Sequence, residues 1–247
     1  EYLCIMNSSN IILNWYAING RELPWRQTTD PYAIWLSEVI MQQTKIAQGT
    51  AYWERFIKRW PNVQSLANAT EDEVLREWQG LGYYSRARNL HKAAQQIVDL
   101  GYFPQTYNEL IQLKGIGEYI AAAVYSIAFA GPVAVVDGNV YRVLARFFGI
   151  EIPIDSTQGK KIFKAIAQDN LPKNAPAAYN QGIMDFGAMQ CTPTLPNCKV
   201  CPLIEYCFAA NNNKVSSLPV KIKKIKQRER HFSYIYIRCK GKTAIRR

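Results

Sequence analysis

The 247-residue chain has no uninterrupted apolar run long enough to cross a bilayer. Its longest, residues 120–136, is broken by Ser126 and Gly131-Pro132 and reads as a buried helix and its exit. No basic segment followed by an apolar core opens the sequence, so no secretory leader is expected. An intracellular protein is expected instead, in the cytoplasm or nucleoid if the source is bacterial. Cysteine is nearly missing outside one short stretch: four of the six fall within residues 191–207, leaving Cys4 and Cys239 apart. That excludes a disulfide framework distributed along the chain. Acidic residues are scarce, 19 against 30 Lys and Arg, for a net charge of +11. This favours a polyanionic partner, nucleic acid first, because each neutralised phosphate releases a counterion. A basic surface also serves solubility or loose membrane contact, so charge alone does not choose. Period-two alternation is absent before residue 231 and no repeat is visible, which makes the body all-α.

What is present is an ordinary globular composition, 48% hydrophobic and 20% charged, long enough for two modest domains or one large one. Helix signals punctuate it. Ser8 or Ser9 can cap a helix over 11–18, and Asp30-Pro31 opens one over 32–44 with Pro at its first position. Further helices fit 48–59, a stretch after Thr70 ended by Gly80 and Gly82, and 85–101. Thr70/Glu73 and Thr106/Glu109 have capping-box spacing. Helices at 139–148, 157–168 and 175–190 follow. From Val220 the chain turns basic through Lys221, Lys223, Lys224, Lys226, Arg228 and Arg230. HFSYIYIRC then alternates like a strand, and the chain is expected to reach just inside a further domain.

Residues 111–139 organise the rest. Lys114-Gly115-Ile116-Gly117 is a Gly-x-Gly turn at a helix start, which reads equally as a plain helix–helix turn or as a nest of N–H groups for a phosphate. Cys191, Cys198, Cys201 and Cys207 are spaced C-x6-C-x2-C-x5-C. One close pair between two wider gaps suits the corners of a [4Fe–4S] cubane better than structural zinc. Glu38 sits in a nearly continuous apolar helix with no cation at i±3 or i±4; it is either a buried carboxyl or a Glu at a wet edge. Asp137, after an apolar run and before Gly-Asn, is a good N-cap.

The LKGIG hairpin, an Asp twenty residues beyond its second glycine, and this cysteine spacing occur together in one family. The chain resembles the helix–hairpin–helix iron–sulfur DNA glycosylases of the endonuclease III superfamily. LPWR at 23–26, PYAIWLSEVIMQQT at 31–44, GLGYYSRARNL at 80–90 and VDGNVYRVLAR at 136–146 are similar to the MutY-type adenine DNA glycosylases. The resemblance covers about residues 8–220. It implies a six-helix domain at 24–130, a helical cluster domain from 1–23 and 131–212, a basic linker at 213–230, and the first residues of a Nudix-like domain at 231–247.

By the same resemblance, Glu38 protonates the adenine and Asp137 stabilises the sugar cation or attacks it transiently, with Tyr119 and Asn139 orienting the site. Tyr119 stands where backbone-cutting relatives place an amine nucleophile, implying hydrolysis without efficient lyase activity. Trp25, Arg26 and Gln181 match the adenine pocket, Gln43 and Tyr83 the stack wedge, and Leu81 and Thr44 the neighbourhood of the opposite base. Lys114, Gly115 and Gly117 would hold a phosphate; Arg86, Arg88 and Lys199 either track others or lie on a solvated face. The implied partner is duplex DNA with adenine opposite 8-oxoguanine or guanine, bound by a monomer without membrane contact. The alternatives are a bifunctional endonuclease III-like glycosylase and a non-catalytic iron–sulfur DNA-binding module.

Overall fold

The computed structural model describes residues 2–222, 229, 231, 238–240 and 242–243. Its body is helical: α1 (Tyr2–Asn19), a 3-10 turn (Pro24–Arg26), α2 (Pro31–Met41), α3 (Ile46–Arg59), α4 (Val63–Ala67), α5 (Glu71–Glu77), α6 (Ser85–Leu100), α7 (Tyr107–Leu110) and α8 (Glu118–Phe129). Then come α9 (Gly138–Phe148), α10 (Thr157–Asp169), α11 (Pro176–Met189), two further 3-10 turns (Cys198–Val200 and Ile204–Tyr206), and α12 (Phe208–Asn211). Among the described residues no helix is long and apolar enough to cross a membrane.

The starts of α2, α5 and α7 fall where the caps predict. Asp30 accepts from the Tyr32 N–H, and Thr70/Glu73 and Thr106/Glu109 each close a reciprocal box. One expectation fails and one helix was not expected, each for an identifiable reason. Ser8 and Ser9 lie inside α1 rather than capping it, because Ser9 gives its hydroxyl to the Asn170 carbonyl at the far end of α10. The short α4 has no Glu to announce it; Asn62 and Ser65 cap it reciprocally instead.

The helices bury two main clusters. Trp35, Phe56, Trp78, Leu90 and Leu110 are at the heart of the first, built from the 3-10 turn through α8. Val140, Ala145, Phe163 and Phe186 anchor the second, built from α9 to α12 with Ile12 of α1. α1 packs on α11 closely enough that a Cβ at Gly182 would come within 3.0 Å of Tyr16. α8 packs against both α2 and α11, and Ala122, Ala123 and Val135 form a small apolar set at that seam with Met184 against them. The two bodies therefore share one boundary, and side chains from both face it.

The first part of the stretch expected as a basic linker, 213–222, lies against the body. Leu218 is buried in the second cluster and its carbonyl accepts from Arg146; the Ile154 N–H donates to the Val220 carbonyl and the Ile222 N–H to the Asp155 carboxylate. Residues 223–228 and 230 lie outside the described residues, as does most of the expected C-terminal fragment. Within the latter, β1 (Arg238–Cys239) pairs antiparallel with β2 (Lys242–Thr243), with Cys239 opposite Lys242.

Candidate active site

The seam between the bodies gathers the predicted chemistry. Glu38 leaves α2 on the side facing α8, where Tyr119 donates its hydroxyl to Oε2 at 2.7 Å. Glu38 lines a small cavity of about 30 Å3 together with Trp25, Arg26, Ile34, Ile127, Gln181 and Met184. Glu38 is half-buried and faces this cavity rather than the outer surface of α2. Burial, the largest cause, raises the Glu38 carboxyl above its ordinary range; the Tyr119 bond and the Arg26 charge offset part of this, and Asp137 adds to it. Tyr119 also lines an outer groove of about 400 Å3 with Val136, Tyr141, Lys160, Lys161 and Lys164. Its ring therefore stands between the groove and the acid.

Asp137 caps α9, and Oδ1 accepts from the Asn139 and Val140 N–H groups at 2.8 Å each. Oδ2 accepts from the Asn139 side-chain amide at 2.8 Å. Burial still raises its carboxyl, with those three bonds and Arg142 working against it. Capping alone therefore does not hold this group low. Asp137 has three hydrogen-bond donors and Glu38 one, so the ionised form is better satisfied at Asp137 than at Glu38. Arg142 bonds the Asn139 carbonyl oxygen of the side chain at 2.8 Å and the Cys191 backbone carbonyl at 2.7 Å, so the cysteine loop braces Asn139.

Gln43 and Tyr83 both sit at positive φ, 55° and 45°, strained for residues with a side chain. Gln43 is exposed, as is Tyr83 at 66%. Thr44 is half-buried next to Gln43, whereas Leu81 is buried at 8% and its side chain belongs to the first cluster. Arg86 is half-buried and holds backbone carbonyls. Its Nη1 and Nη2 donate to the carbonyls of Val39, Ile40, Gln42 and Leu81, which ties the end of α2 to the loop before Tyr83, while its Nε is buried without a partner. Arg88 pairs with Glu71 at the surface, and Lys199 is exposed. In the hairpin, Gly115 has φ +77° and a Cβ there would strike Asn89 at 2.5 Å, so both conformation and space demand glycine. Lys114 donates its backbone N–H to Gln96, and its side chain and Gly117 are exposed at the start of α8.

Cys191, Cys198, Cys201 and Cys207 line one further cavity with Arg146 and otherwise mainly apolar groups. Arg146 reaches the Cys191 sulfur at 3.4 Å. Burial pushes the Cys201 thiol up to about 11 and raises Cys207. Among the described residues no group of three or more His, Cys, Asp or Glu side chains is placed to hold a single metal ion.

Sequence reasoning passed over Tyr16, Arg21, Asp185 and Arg142. Asp185 carried a usable signal, lying one helical turn from Gln181 on the same face. Tyr16 carried none.

The helical body carries a Gly-Ile-Gly hairpin and two half-buried carboxylates at its seam. Residues 36–171 match the family model described as HhH-GPD superfamily base excision DNA repair protein, and the chain belongs to that superfamily. It is 39% identical over 219 residues to the adenine DNA glycosylase of Buchnera aphidicola subsp. Schizaphis graminum (strain Sg), covering 87% of this chain and 63% of that protein. To the adenine DNA glycosylase of Homo sapiens it is 40% identical over 209 residues, covering 80% of this chain and 38% of the relative. The structure of a thermostable thymine-DNA glycosylase is similar with a TM-score of 0.78 at 26% identity, covering 84% of this chain and 97% of that one. The chain thus spans less than two thirds of the length of the adenine glycosylases it matches.

Proposed function

We propose that the protein is a monofunctional adenine DNA glycosylase that acts on adenine opposite 8-oxoguanine or guanine in duplex DNA. The observation that carries this reading is the unequal carboxylate pair: Glu38 half-buried with a single donor in a cavity, and Asp137 beside it with three. Leaving adenine is a poor anion unless protonated, and the sugar it leaves becomes an oxocarbenium ion. One protonated acid and one ionised carboxylate meet both needs.

In this mechanism Glu38 gives its proton to a ring nitrogen of the base, N7 by the family resemblance, and then polarises the attacking water. Asp137, ionised, faces the sugar. The target base must leave the helix stack, for which Gln43 and Tyr83 are the wedge candidates. The hairpin and the first N–H groups of α8 would take a backbone phosphate. We divide the chain at the seam into a six-helix domain and a cluster domain. The four cysteines around one cavity, with an arginine on one sulfur, fit the donor set of a [4Fe–4S] cluster, in which iron would hold them as thiolates. The cluster would knit the loop that braces Asn139 and takes no part in hydrolysis.

Tyr119 supplies the test of the reaction type. With no amine at this position, the product should be an abasic strand that stays intact until alkali is added, and borohydride should trap no covalent complex. Efficient trapping would replace hydrolysis with a lyase mechanism. Tyr119→Phe removes the donor that stabilises the Glu38 carboxylate, so Glu38 holds its proton to higher pH. The alkaline limb of the excision rate should rise by roughly half to one pH unit; a limb that falls contradicts the assigned bond.

A further inference from the structure

Asp185 is a fully buried carboxylate, and no role assigned above uses it. It lies on α11 one turn after Gln181, behind the cavity that holds Glu38. Arg26 donates to it twice, from Nη1 to Oδ2 at 2.7 Å and from Nη2 to Oδ1 at 2.9 Å. Arg21 bonds it from the solvent side through both its backbone N–H at 3.0 Å and its guanidinium. Arg26 Nη1 spends its second proton on the Arg21 carbonyl at 3.1 Å. This leaves the Nε proton and one Nη2 proton for the cavity. Nearby, Tyr16 donates to Gln181 Oε1 at 2.7 Å, so the amide NH2 is the part of Gln181 left to serve a ligand. The wall is thereby set with donors, which suits the lone-pair nitrogens on a purine edge.

We propose that Asp185 is a positioning residue for base excision: it fixes Arg26 on the cavity wall as a donor to the base and offsets that cation's charge beside Glu38. The inference rests on the adenine-excision reading of the cavity. The groups acting on Glu38 are Tyr119 from α8, Arg26 from the 3-10 turn and Asp137 ahead of α9. Arg86 of α6 faces the other end of α2. From α11, Asp185 acts through Arg26. Burial alone would raise the Asp185 carboxyl, and the bonds from Arg26 and Arg21 outweigh it, bringing it down to about 2. It is therefore a fixed negative charge wherever the enzyme works, and it does not itself titrate in the active range. Without it, Arg26 faces Glu38 as an uncompensated cation and favours the Glu38 carboxylate. The acid then loses its proton at lower pH.

The test is the pH profile of single-turnover adenine release by the full chain. For Asp185→Asn the alkaline limb should move down by about one pH unit, slowing excision about tenfold above it, while duplex affinity stays within about twofold. Asp185→Glu should recover part of the shift. In an Arg26→Gln background the same Asp185→Asn change should move the limb little, since the coupling runs through Arg26. A rate lowered equally at every pH, with the limb in place, would reduce Asp185 to structural support and overturn the proposal. An equal shift in the Arg26→Gln background would also overturn it. If circular dichroism shows Asp185→Asn to be unfolded, Arg21→Met carries the test: Asp185 is then offset by Arg26 alone, and the limb should rise. An unmoved limb there overturns the proposal. Retained excision in Glu38→Gln would instead remove the underlying reading, so the two failures are distinguishable.

Discussion

Glu38→Gln should release adenine about a thousandfold more slowly than the parent chain, within the range a positioned general acid contributes, while still binding duplex DNA. Gln has the shape of Glu and can keep the Tyr119 contact, so the cavity stays filled. What it lacks is a transferable proton. The Glu38 carboxyl is raised chiefly by burial and has one hydrogen-bond donor, which leaves the acid protonated where an exposed Glu would have ionised. The sign of the pH dependence follows. The parent rate should fall as pH rises through the elevated Glu38 value, and this limb should be missing from whatever residual rate Glu38→Gln shows. Single-turnover excision gives the rate and fluorescence anisotropy gives the affinity. Undiminished excision would remove Glu38 from the mechanism.

Asp137→Asn should cost excision about 10²–10³-fold, the loss typical when a group aimed at developing charge is neutralised. The substitution separates charge from structure. Asn caps a helix about as well as Asp, and its oxygen can still accept the Asn139 and Val140 N–H groups that Oδ1 now holds. α9 should therefore persist, and the thermal midpoint should move by only a few degrees. A variant that folds, binds and excises at the parent rate would show that Asp137 is a cap and nothing more. A variant that loses its helix content would place the defect in the fold.

Much of this was legible because it is written locally. Asp30-Pro31, Thr70/Glu73 and Thr106/Glu109 each mark a helix start within four residues, and Gly115 marks the hairpin position that takes left-handed φ. Glu38 stood out as a lone acid in an apolar helix. The rest depends on contacts between distant residues. Ser9 looks like a cap until Asn170, 161 residues away, takes its hydroxyl. Arg86 gives no sign in the sequence that four carbonyls from α2 and the loop before Tyr83 converge on it. Asp185 looks like an ordinary helix acid until Arg21 and Arg26 close over it. The strain at Gln43 and Tyr83 is likewise invisible in the sequence, since neither is a glycine or an asparagine. Polar partners set by tertiary packing are what a periodic pattern does not encode.

The most direct test is single-turnover adenine release from duplexes that differ only in the base opposite the adenine: 8-oxoguanine, guanine or thymine. Fast release opposite 8-oxoguanine and guanine, little opposite thymine, and a strand intact until alkali is the predicted result. Equal release from all three duplexes, or none from any, would contradict the account.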